Sequence, residues 1–451
     1  MGRVHPSNAL FTDLYQLTMA QAYRHSGHTS EATFSLFFRD YPPNRSYLVF
    51  AGLADVLDYL EGLRFSAEDI DVLRRQGRFD GRFLDYLAGL SFTGSVRAMA
   101  EGSVLFANEP VIEVTAPVIE AQIVETYLLN QVTLQTTLAS KAARVVSAAR
   151  GRTVVDFAAR RTHGTDAANK LARASYMAGF AGTSNVMAGS LYDIPMFGTM
   201  AHSWVTTFDN EADSFRAYAE SFPDTSTFLV DTYDTVEGTR NAARVALEMK
   251  KRGHVLRAVR LDSGDLLDLS TKARAILYEA GLPEVGVFAS GGLEEFEIDS
   301  LLSAGAPIDG FGVGTKVGVS ADAPYSDSVY KLVQYDGRPV LKLSPGKQTL
   351  PGPKQVFRQK SPNGVYAGDI IARQGEKPER ATEPLLDQVM SEGRRLGREP
   401  ALGELRERFA REFARLPSEY KALVSPPRYT VDISLGLRDL ESELTEKLQR
   451  R

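Results

Sequence analysis

Short β-rich runs alternate with helical segments between residues 153 and 312, and this alternation constrains the fold more than any other feature of the sequence. In the later part a strand-plus-helix unit recurs about every 20 to 30 residues, which is typical of parallel α/β folds. Because crossovers between parallel strands are right-handed, these units predict a barrel or an incomplete barrel. The runs are Thr153–Phe157, Ala181–Asn185, Pro195–Thr199, Thr227–Asp231, Arg257–Leu261, Val285–Ala289 and Ile308–Gly312.

Glycines, small hydroxyls, arginines and aspartates collect after the carboxyl ends of these runs. The endings are Arg160-Arg-Thr-His163, Gly182-Thr-Ser184, Gly198-Thr199-Met-Ala-His202, Asp231-Thr-Tyr-Asp234, Arg260-Leu-Asp262-Ser-Gly-Asp265, Ser290-Gly-Gly292 and Gly312-Val-Gly-Thr315. Barrels of this kind carry their chemistry at that rim. The last two endings occupy the place where such barrels hold phosphate on backbone N–H groups. The sequence therefore predicts one polar site with a phosphate cradle.

His202 follows a short apolar run, Ile194–Phe197, within Gly198-Thr199-Met-Ala-His202-Ser203. A lone histidine in a loop is more often a structural residue than a functional one. The polar endings of the neighbouring runs favour the functional interpretation here.

The rest of the chain predicts a second layer. Residues 9–24 have helical spacing, with Thr12 or Asp13 as the cap; strands are expected at 31–39 and within 95–118, and helices at 53–90 and 119–150. Asp336-Gly337 predicts a hairpin turn. The loop from Lys342 to Lys354 is either a polyanion site or an ordinary exposed hairpin, and 373–415 reads as a charged, helical outer layer. The expected domains are 1–140, 141–325 and 326–451.

Charge and composition exclude several classes of function. The 52 basic and 57 acidic residues among 451 give a net charge of −5, so no broad basic field for nucleic acid is expected. The chain has no cysteine, which excludes disulfides and thiolate metal sites. No apolar run approaches a membrane span, and the first residues have no signal-type stretch. We expect a cytoplasmic protein without a membrane partner.

Taken together, the ordered motifs resemble the nicotinate phosphoribosyltransferase family over most of the chain. They are Thr12-Asp-Leu-Tyr-Gln-Leu-Thr-Met19, Phe38-Arg39 with Pro42-Pro43, Leu128-Leu-Asn130, Asp156-Phe-Ala-Ala-Arg-Arg-Thr-His-Gly164, Gly182-Thr-Ser-Asn185, Gly198-Thr-Met-Ala-His-Ser203, Arg260-Leu-Asp-Ser-Gly-Asp265, Ser290-Gly-Gly292, Gly312-Val-Gly-Thr315, Tyr330-Lys-Leu and the Lys342 to Lys354 loop. The resemblance implies an incomplete α/β barrel and an α/β sandwich domain built from both chain ends. It also implies a head-to-tail homodimer with shared active sites.

The implied reaction joins nicotinate to 5-phosphoribosyl 1-diphosphate and gives nicotinate mononucleotide and diphosphate. By resemblance, nicotinate stacks between Phe157 and Tyr15 of the partner subunit. Arg260 pairs with its carboxylate, Arg160 lies nearby and Thr199 supplies a hydroxyl. Related nicotinamide-using enzymes have an aspartate where this chain has Ser184, and its absence leaves the ring carboxylate uncontested.

The resemblance also assigns the sugar and phosphate contacts. Asp262 is expected to hold the ribose hydroxyls, and Mg²⁺, held mostly by substrate oxygens, to balance the leaving group. The turns expected to bind the 5-phosphate contain Ser290, Gly291, Gly292, Gly314 and Thr315. The residues expected to help bind the diphosphate are Arg39, Lys331, Lys347 and Lys354.

His202 matches the histidine that the family phosphorylates from ATP, so ATP is expected as a co-substrate. The carboxylate that orients its ring stays open at this point. The candidates in range along the chain are Asp209, Glu211, Asp231 and Asp234.

Three alternatives remain. Nicotinamide or quinolinate could replace nicotinate as the acceptor. A barrel aldolase could share the phosphate turns but needs a Schiff-base lysine, for which only Lys316, just beyond the last run, comes near. A non-catalytic nucleotide-binding protein would have no use for the set His202, Arg260 and Asp262.

Overall fold

The computed structural model describes residues 8–344, 349–379 and 383–450. The chain divides into two compact units, which are described separately below. Unit 1 comprises Met1–Thr137 and Tyr325–Arg451, and unit 2 comprises Leu138–Pro324. The sequence placed these divisions after residues 140 and 325.

Helices and strands alternate irregularly in unit 1 and regularly in unit 2. The α-helices are α1 Leu14–Ser26, α2 Leu53–Gly62, α3 Ala67–Arg75, α4 Gly81–Ala88, α5 Val118–Ile123, α6 Glu125–Ala148, α7 Thr165–Met177, α8 Val186–Tyr192, α9 His202–Val205, α10 Glu211–Ser221, α11 Thr235–Lys251, α12 Leu266–Glu279, α13 Glu295–Ser303, α14 Thr315–Gly318, α15 Leu402–Arg415 and α16 Leu435–Gln449. Short 3-10 helices span Asn8–Leu10 and Ser418–Lys421.

The strands of the described residues are β1 Glu31–Phe38, β2 Leu48–Val49, β3 Ser95–Ala98, β4 Val104–Leu105, β5 Pro110–Pro117, β6 Thr153–Asp156, β7 Gly182–Thr183, β8 Thr227–Leu229, β9 Ala258–Leu261, β10 Gly286–Ala289, β11 Gly310–Val313, β12 Ser328–Tyr335, β13 Arg338–Pro339, β14 Lys354–Lys360, β15 Tyr366–Arg373, β16 Glu383–Pro384, β17 Asp387–Ser391, β18 Arg394–Arg395 and β19 Val431–Ile433.

Unit 2 is built on a parallel sheet in the order β7-β6-β11-β10-β9-β8. A parallel bridge from Thr183 to Met196 adds the 195–199 run beside β7. Each predicted run therefore takes part in parallel pairing, although the second and third are shorter than expected. Strand β6, the first strand of unit 2, pairs with β11, the last, as the strands of a barrel do. Strands β7 and β8 stand at the two ends of the sheet. The predicted α/β fold with an incomplete barrel is confirmed.

Unit 1 combines strands from both chain ends in one sheet, in the order β13-β12-β1-β5-β3-β17-β18. Strand β12 pairs antiparallel with β1, and β17 pairs antiparallel with β3. A second sheet has the order β16-β14-β15-β19. Apolar side chains such as Leu36, Phe83, Val114 and Leu128 are fully buried in the core of this unit. The sandwich expected from both chain ends matches this arrangement.

The expectation of a largely helical segment over 373–415 is wrong for its first part. Strands β16, β17 and β18 precede the helix, which begins only at Leu402. The turn between β17 and β18 places Glu392 and Gly393 at φ 49° and 69°, the left-handed conformation that tight hairpins require. The burial of Met390 against the sheet outweighs the charged composition that suggested a solvated helix.

The hairpin predicted at Asp336-Gly337 is confirmed, since both residues have positive φ between β12 and β13. Asp13 stands at the N-cap of α1, but its side chain accepts a hydrogen bond from Thr126 instead of capping the helix. Lys347 lies outside the described residues. None of the helices within the described ranges is both long and apolar enough to cross a membrane.

Candidate active site

Arg260, at the end of β9, joins three other predicted residues at the rim of the unit 2 sheet. Its Nη1 donates to Thr199 Oγ1 at 2.7 Å, its Nε to Ser290 Oγ at 3.0 Å and its Nη2 to Asp262 Oδ1 at 3.1 Å. Its guanidinium carbon lies 5.7 Å from the centre of the Phe157 ring. Arg260 therefore presents a planar cation beside an aromatic face, which suits a flat ring that carries a carboxylate.

The Phe157 ring also lines a cavity of about 520 Å³ in unit 2, which extends from the amino ends of the strands, at Thr153, Ala258 and Gly310, to Phe157 and Thr199. The Phe157 and Phe288 ring centres are 6.1 Å apart. A Cβ on Gly312 of β11 would lie 2.6 Å from the Phe157 ring, so glycine is needed there for that ring to take its place. A barrel interior is usually filled by large side chains, and here the Phe157 ring occupies the space that the missing side chain of Gly312 leaves.

Asp262 is held as a carboxylate. Burial alone would raise its pKa, but hydrogen bonds from Ser290 and Arg260, the positive charge of Arg260 and the nearby His202 together hold the pKa below its usual range. Ser290 Oγ donates to Asp262 Oδ1 at 2.5 Å. The next residue, Gly291, has φ 93°, and a Cβ there would lie 2.0 Å from the carbonyl oxygen of Asp262. This close approach requires glycine and brings the turn after β10 against the end of β9.

The ring of His202, the first residue of α9, faces two carboxylates. Its Nδ1 lies 3.1 Å from Thr232 Oγ1, and its Nε2 lies 4.0 Å from Asp231 Oδ1 and 3.8 Å from Asp262 Oδ2. The side chain of Asp231 is buried, and its Oδ1 has no hydrogen-bond partner within the described part of the chain. Of the four carboxylates considered from the sequence, Asp231 is the one that approaches the ring, at an ion-pair distance beyond hydrogen-bond reach, and Asp262 lies slightly nearer.

The other carboxylates considered for that role have different partners. Glu211 accepts from Asn241, and Asp234 caps α11 by accepting from the Glu237 N–H. Asp209 is absent from the ion pairs of the His202 ring among the described residues. Among the carboxylates that the sequence left as candidates for orienting His202, the structure therefore favours Asp231.

Two glycine-rich turns follow the last two strands, as predicted. Ser290 is buried, whereas Gly291 and Gly292 are exposed with positive φ. Gly314 is the N-cap of α14, and Thr315 is exposed at its first position. Backbone N–H groups in such turns are free to face an anion.

Arg160 and Ser184 are both exposed in the loops that follow β6 and β7. The Ser184 N–H donates to the Asp156 carbonyl at 2.8 Å, which fixes its backbone beside the end of β6. Ser184 is thus on the same rim as Phe157.

The remaining predicted residues belong to unit 1. Tyr15 is 51% exposed at the start of α1, and burial and the nearby Glu125 and Asp13 raise its pKa. Arg39 lies 3.6 Å from Asp327, and Lys331 lies 4.0 Å from Glu125. These two cations are only loosely paired.

The position of Lys354 does not support its predicted diphosphate role. Its Nζ is buried, donates to the carbonyl of Gly352 at 2.7 Å and lies 3.4 Å from Glu113 Oε1. Burial lowers its pKa despite the neighbouring Glu113. Lys354 serves the packing of unit 1 in this conformation, because its ammonium group is directed at protein oxygens.

Lys316 does not have the environment of a Schiff-base nucleophile. Its Nζ lies 2.6 Å from Glu297 Oε1 and 3.0 Å from Glu294 Oε1. Burial would lower its pKa, but the hydrogen bonds and charges of Glu297 and Glu294 raise the pKa above its usual value. A protonated amine cannot attack a carbonyl, so the geometry weighs against the aldolase alternative.

Sequence reasoning missed two residues of the site. Asp156, buried at the end of β6, accepts from the Ala158 N–H at 2.8 Å and from Thr183 Oγ1 at 2.6 Å, so it braces two rim loops. Thr232 contacts the His202 ring. The sequence signal for Asp156 was its place at the start of the motif that contains Phe157. The signal for Thr232 was its place within the polar ending Asp231-Thr-Tyr-Asp234.

Among the described residues no group of three or more histidine or acidic side chains is arranged to hold a metal ion. The aspartates at the rim, Asp231 and Asp262, supply the hard oxygen ligands that suit Mg²⁺. The donor set therefore fits a metal that arrives with its own oxygen ligands.

The fold and the rim together define a class. Parallel α/β barrels bind phosphate esters at the turns after their last two strands, and both turns here have exposed glycine or threonine backbone. Unit 2 is thus an incomplete parallel α/β barrel of the class in which such turns commonly bind phosphate, with the Arg260 cation and the Phe157 ring on the same rim.

Comparisons with known proteins narrow this class. Family models match the chain as the N-terminal domain of nicotinate phosphoribosyltransferase over residues 10–133, the nicotinate phosphoribosyltransferase family over 153–348 and its C-terminal domain over 378–441. The nicotinate phosphoribosyltransferase pncB2 of Mycobacterium tuberculosis is 53% identical, and the match covers 92% of this chain and 89% of that protein. The nicotinate phosphoribosyltransferase of Bacillus subtilis is 41% identical over 98% of both.

The crystal structure of human nicotinic acid phosphoribosyltransferase matches with a TM-score of 0.86 and 29% identity, over 96% of this chain and 99% of that one. The chain belongs to the nicotinate phosphoribosyltransferase family. The resemblance identified from the sequence motifs is confirmed.

Proposed function

We propose that this chain joins nicotinate to 5-phosphoribosyl 1-diphosphate. The bond from the pyridine nitrogen to C1 of the ribose forms, the bond from C1 to the diphosphate oxygen breaks, and diphosphate leaves. The observation that carries the proposal is the position of Arg260, which lies over the Phe157 ring and is hydrogen-bonded to Asp262 and Ser290. One residue thereby links the slot for the aromatic acid to the sugar and phosphate positions.

Nicotinate binds beside the Phe157 ring, with its carboxylate on the Arg260 guanidinium. Thr199 Oγ1 accepts from Nη1, so a carboxylate takes over an acceptor position that already exists. Arg160 adds positive charge at the rim, and Ser184 leaves the carboxylate unopposed. The pyridine lone pair is the nucleophile, so the residues need to position it rather than deprotonate it.

Asp262 faces the ribose and stabilises the positive charge that develops at C1 as the diphosphate leaves. Its lowered pKa keeps it ionised for that purpose. The backbone of Gly291, Gly292, Gly314 and Thr315 receives the 5-phosphate. Mg²⁺ bound to substrate oxygens supplies charge neutralisation on the leaving group, and Arg39, Lys331 and Lys347 are proposed to assist.

His202 is proposed to accept the γ-phosphoryl group of ATP, with release of ADP, and to lose it to water in each cycle. Both carboxylates approach Nε2, which favours the N–H at that atom and leaves the Nδ1 lone pair as the nucleophile. Thr232 Oγ1 lies beside Nδ1 and can donate to it before phosphorylation. Asp231, with its unpartnered Oδ1, then stabilises the imidazolium that forms.

A homodimer completes the proposal. Unit 2 exposes apolar side chains along α8 and the run that follows it, namely Val186, Met187, Leu191, Met196 and Phe197. Unit 1 exposes Phe11, Leu14 and Tyr15 around the start of α1. Exposed apolar patches of this kind mark interaction surfaces. In a head-to-tail dimer, Tyr15 of the partner subunit covers the nicotinate ring.

The test mixes the protein with nicotinate, 5-phosphoribosyl 1-diphosphate, Mg²⁺ and γ-labelled ATP. We expect nicotinate mononucleotide and an acid-labile phosphate on the protein. The His202→Gln variant is expected to lose the label and the stimulation by ATP while it keeps slow synthesis. Absence of mononucleotide from the parent protein contradicts the proposed reaction, and a label that persists in the variant contradicts the role of His202.

A further inference from the structure

A buried ionic network lies behind the two glycine-rich turns. Lys141 on α6 has a fully buried side chain, and its Nζ lies 2.5 Å from Glu294 Oε2, 2.6 Å from Glu295 Oε2 and 2.7 Å from Asp322 Oδ1. One turn further along α6, Arg144 Nε lies 2.9 Å from Glu295 Oε1. A buried ammonium group with three carboxylates is costly to assemble and is weak evidence for stability alone.

The network reaches both turns through Glu294. This residue is the N-cap of α13 and follows Gly292 by two positions. Its Oε2 contacts Lys141, while its Oε1 lies 3.0 Å from the Nζ of Lys316. Lys316 directly follows Thr315 in α14 and also contacts Glu297. A single carboxylate therefore ties the turn after β10 to the turn after β11.

We infer that Lys316, paired with Glu294 and backed by Lys141, is a positioning residue that sets the spacing of the two turns around the 5-phosphate. This inference rests on the proposed function, which places the 5-phosphate on those turns. Backbone N–H groups stabilise an anion only when they converge on it. Without the Lys316 ammonium group, Glu294 and Glu297 lose their partner on α14, and the turn after β11 is no longer held to the turn after β10.

A positioning role predicts that the affinity for one of two inhibitors falls while the affinity for the other does not. Ribose 5-phosphate carries the sugar and the 5-phosphate but no diphosphate, so its affinity reports on the turns and on the Asp262 position, and not on the leaving-group position. Inorganic diphosphate reports on the leaving-group position. A purely structural network would weaken both together with the turnover number, whereas a positioning network affects ribose 5-phosphate in particular.

The experiment measures inhibition constants for both probes and the KM for 5-phosphoribosyl 1-diphosphate in Lys316→Met and Lys316→Arg. Lys316 is the residue substituted because its side chain is one-third exposed. Lys141→Met would leave buried carboxylates unpaired and endanger folding. We expect Lys316→Met to raise the ribose 5-phosphate constant and the KM about tenfold. The diphosphate constant and the turnover number stay near the parent values, and Lys316→Arg restores most of the affinity.

Arg150→Met is the matched control. Arg150 holds the other end of α13 through Asp299 at 2.7 Å and Ser303 at 2.6 Å, both exposed. Removing it loosens the same helix away from the turns, so none of the constants is expected to change.

The possible outcomes distinguish a failure of the proposed function from a failure of the positioning role. A parent protein that makes no mononucleotide contradicts the proposed function. A Cβ on Gly291 would lie 2.0 Å from the Asp262 carbonyl oxygen, so Gly291→Ala must displace this turn. If Gly291→Ala leaves ribose 5-phosphate inhibition unchanged, the 5-phosphate is not on these turns. If Gly291→Ala weakens that inhibition and Lys316→Met does not, the positioning role is wrong. Parallel losses in Lys316→Met and Arg150→Met overturn it as well.

Discussion

Arg260 connects more parts of the rim than any other side chain in the site described above. Its three nitrogen atoms donate to Thr199, Ser290 and Asp262, and its face lies over Phe157. A planar fork of donors can exchange Thr199 for a substrate carboxylate while it keeps Ser290 and Asp262, whereas an ammonium group cannot. The site thus depends on the shape of this cation as well as on its charge.

Arg260→Lys is therefore expected to raise the KM for nicotinate by about tenfold or more, with a smaller effect on the KM for 5-phosphoribosyl 1-diphosphate. Steady-state kinetics with each substrate varied in turn measures the split. Arg216→Lys is the control, because Arg216 on α10 pairs with Glu248 at 2.8 Å and does not line the cavity beside Phe157. An unchanged nicotinate KM in Arg260→Lys would show that the carboxylate binds elsewhere.

Ser184 offers a test of acceptor choice. An exposed aspartate at this place on the rim accepts from an amide NH₂ and repels a carboxylate. Ser184→Asp is expected to lower kcat/KM for nicotinate and to raise kcat/KM for nicotinamide, as measured by product formation from each base. Ser184→Asn, similar in size but neutral, separates charge from shape. If the ratio of kcat/KM for nicotinate to kcat/KM for nicotinamide is the same in the parent and in Ser184→Asp, this explanation of specificity is wrong.

The partner of His202 illustrates what the sequence cannot decide at this scale. Several carboxylates were in range along the chain, and only the positions of separate strand ends distinguish Asp231, at 4.0 Å, from Glu211 and Asp234. By contrast, Thr199, Arg260, Asp262 and Ser290 were identified correctly as neighbours, because residues that follow parallel strands converge on one rim.

At the scale of the element, strand β11 shapes the proposed nicotinate slot because Gly312 has no side chain. A Cβ on Gly312 would lie 2.6 Å from Phe157 and 3.0 Å from Phe288. Gly312→Ala is expected to push the Phe157 ring into the cavity and to raise the nicotinate KM severalfold, while ribose 5-phosphate inhibition is retained. Fluorescence-monitored unfolding verifies that the variant folds. Gly403→Ala, which meets no atom within 4 Å in α15, is the control, and a nicotinate KM that stays at the parent value in Gly312→Ala would place the ring elsewhere.

Elements were predictable where a local pattern and a tertiary role agreed. Strands β6 and β9 to β11 are short apolar runs between helices, so periodicity and burial point the same way. Strand β17 has one charged residue, Asp387, and is half exposed. It forms because it pairs with β3, which is almost 300 residues earlier in the chain. Such long-range pairing overrides local propensity and leaves little trace in the sequence.

At the scale of the whole molecule, both ends of the chain build unit 1 while the middle builds unit 2. Short strands begin to alternate with helices after residue 150, and this alternation stops after Thr315. The expected domain boundaries were placed near these two changes. The assembly beyond one chain is a proposal. It depends on the exposed apolar residues of α8 in unit 2 and on those around Tyr15 in unit 1.

Complementation between two defective variants tests this assembly. Phe157→Ala removes one face of the proposed nicotinate slot and Tyr15→Ala removes the face supplied by the partner subunit, so each homodimer is impaired at both sites. After subunit exchange in a 1:1 mixture, half of the dimers are mixed, and each contains one intact and one doubly defective site. We expect about a quarter of the parent activity to return. Two variants changed on the same face, Phe157→Ala and Arg260→Ala, are the control, because any mixed dimer retains a defect at each site. Restoration in the control pair, or none in the test pair despite proven exchange, would contradict a shared active site.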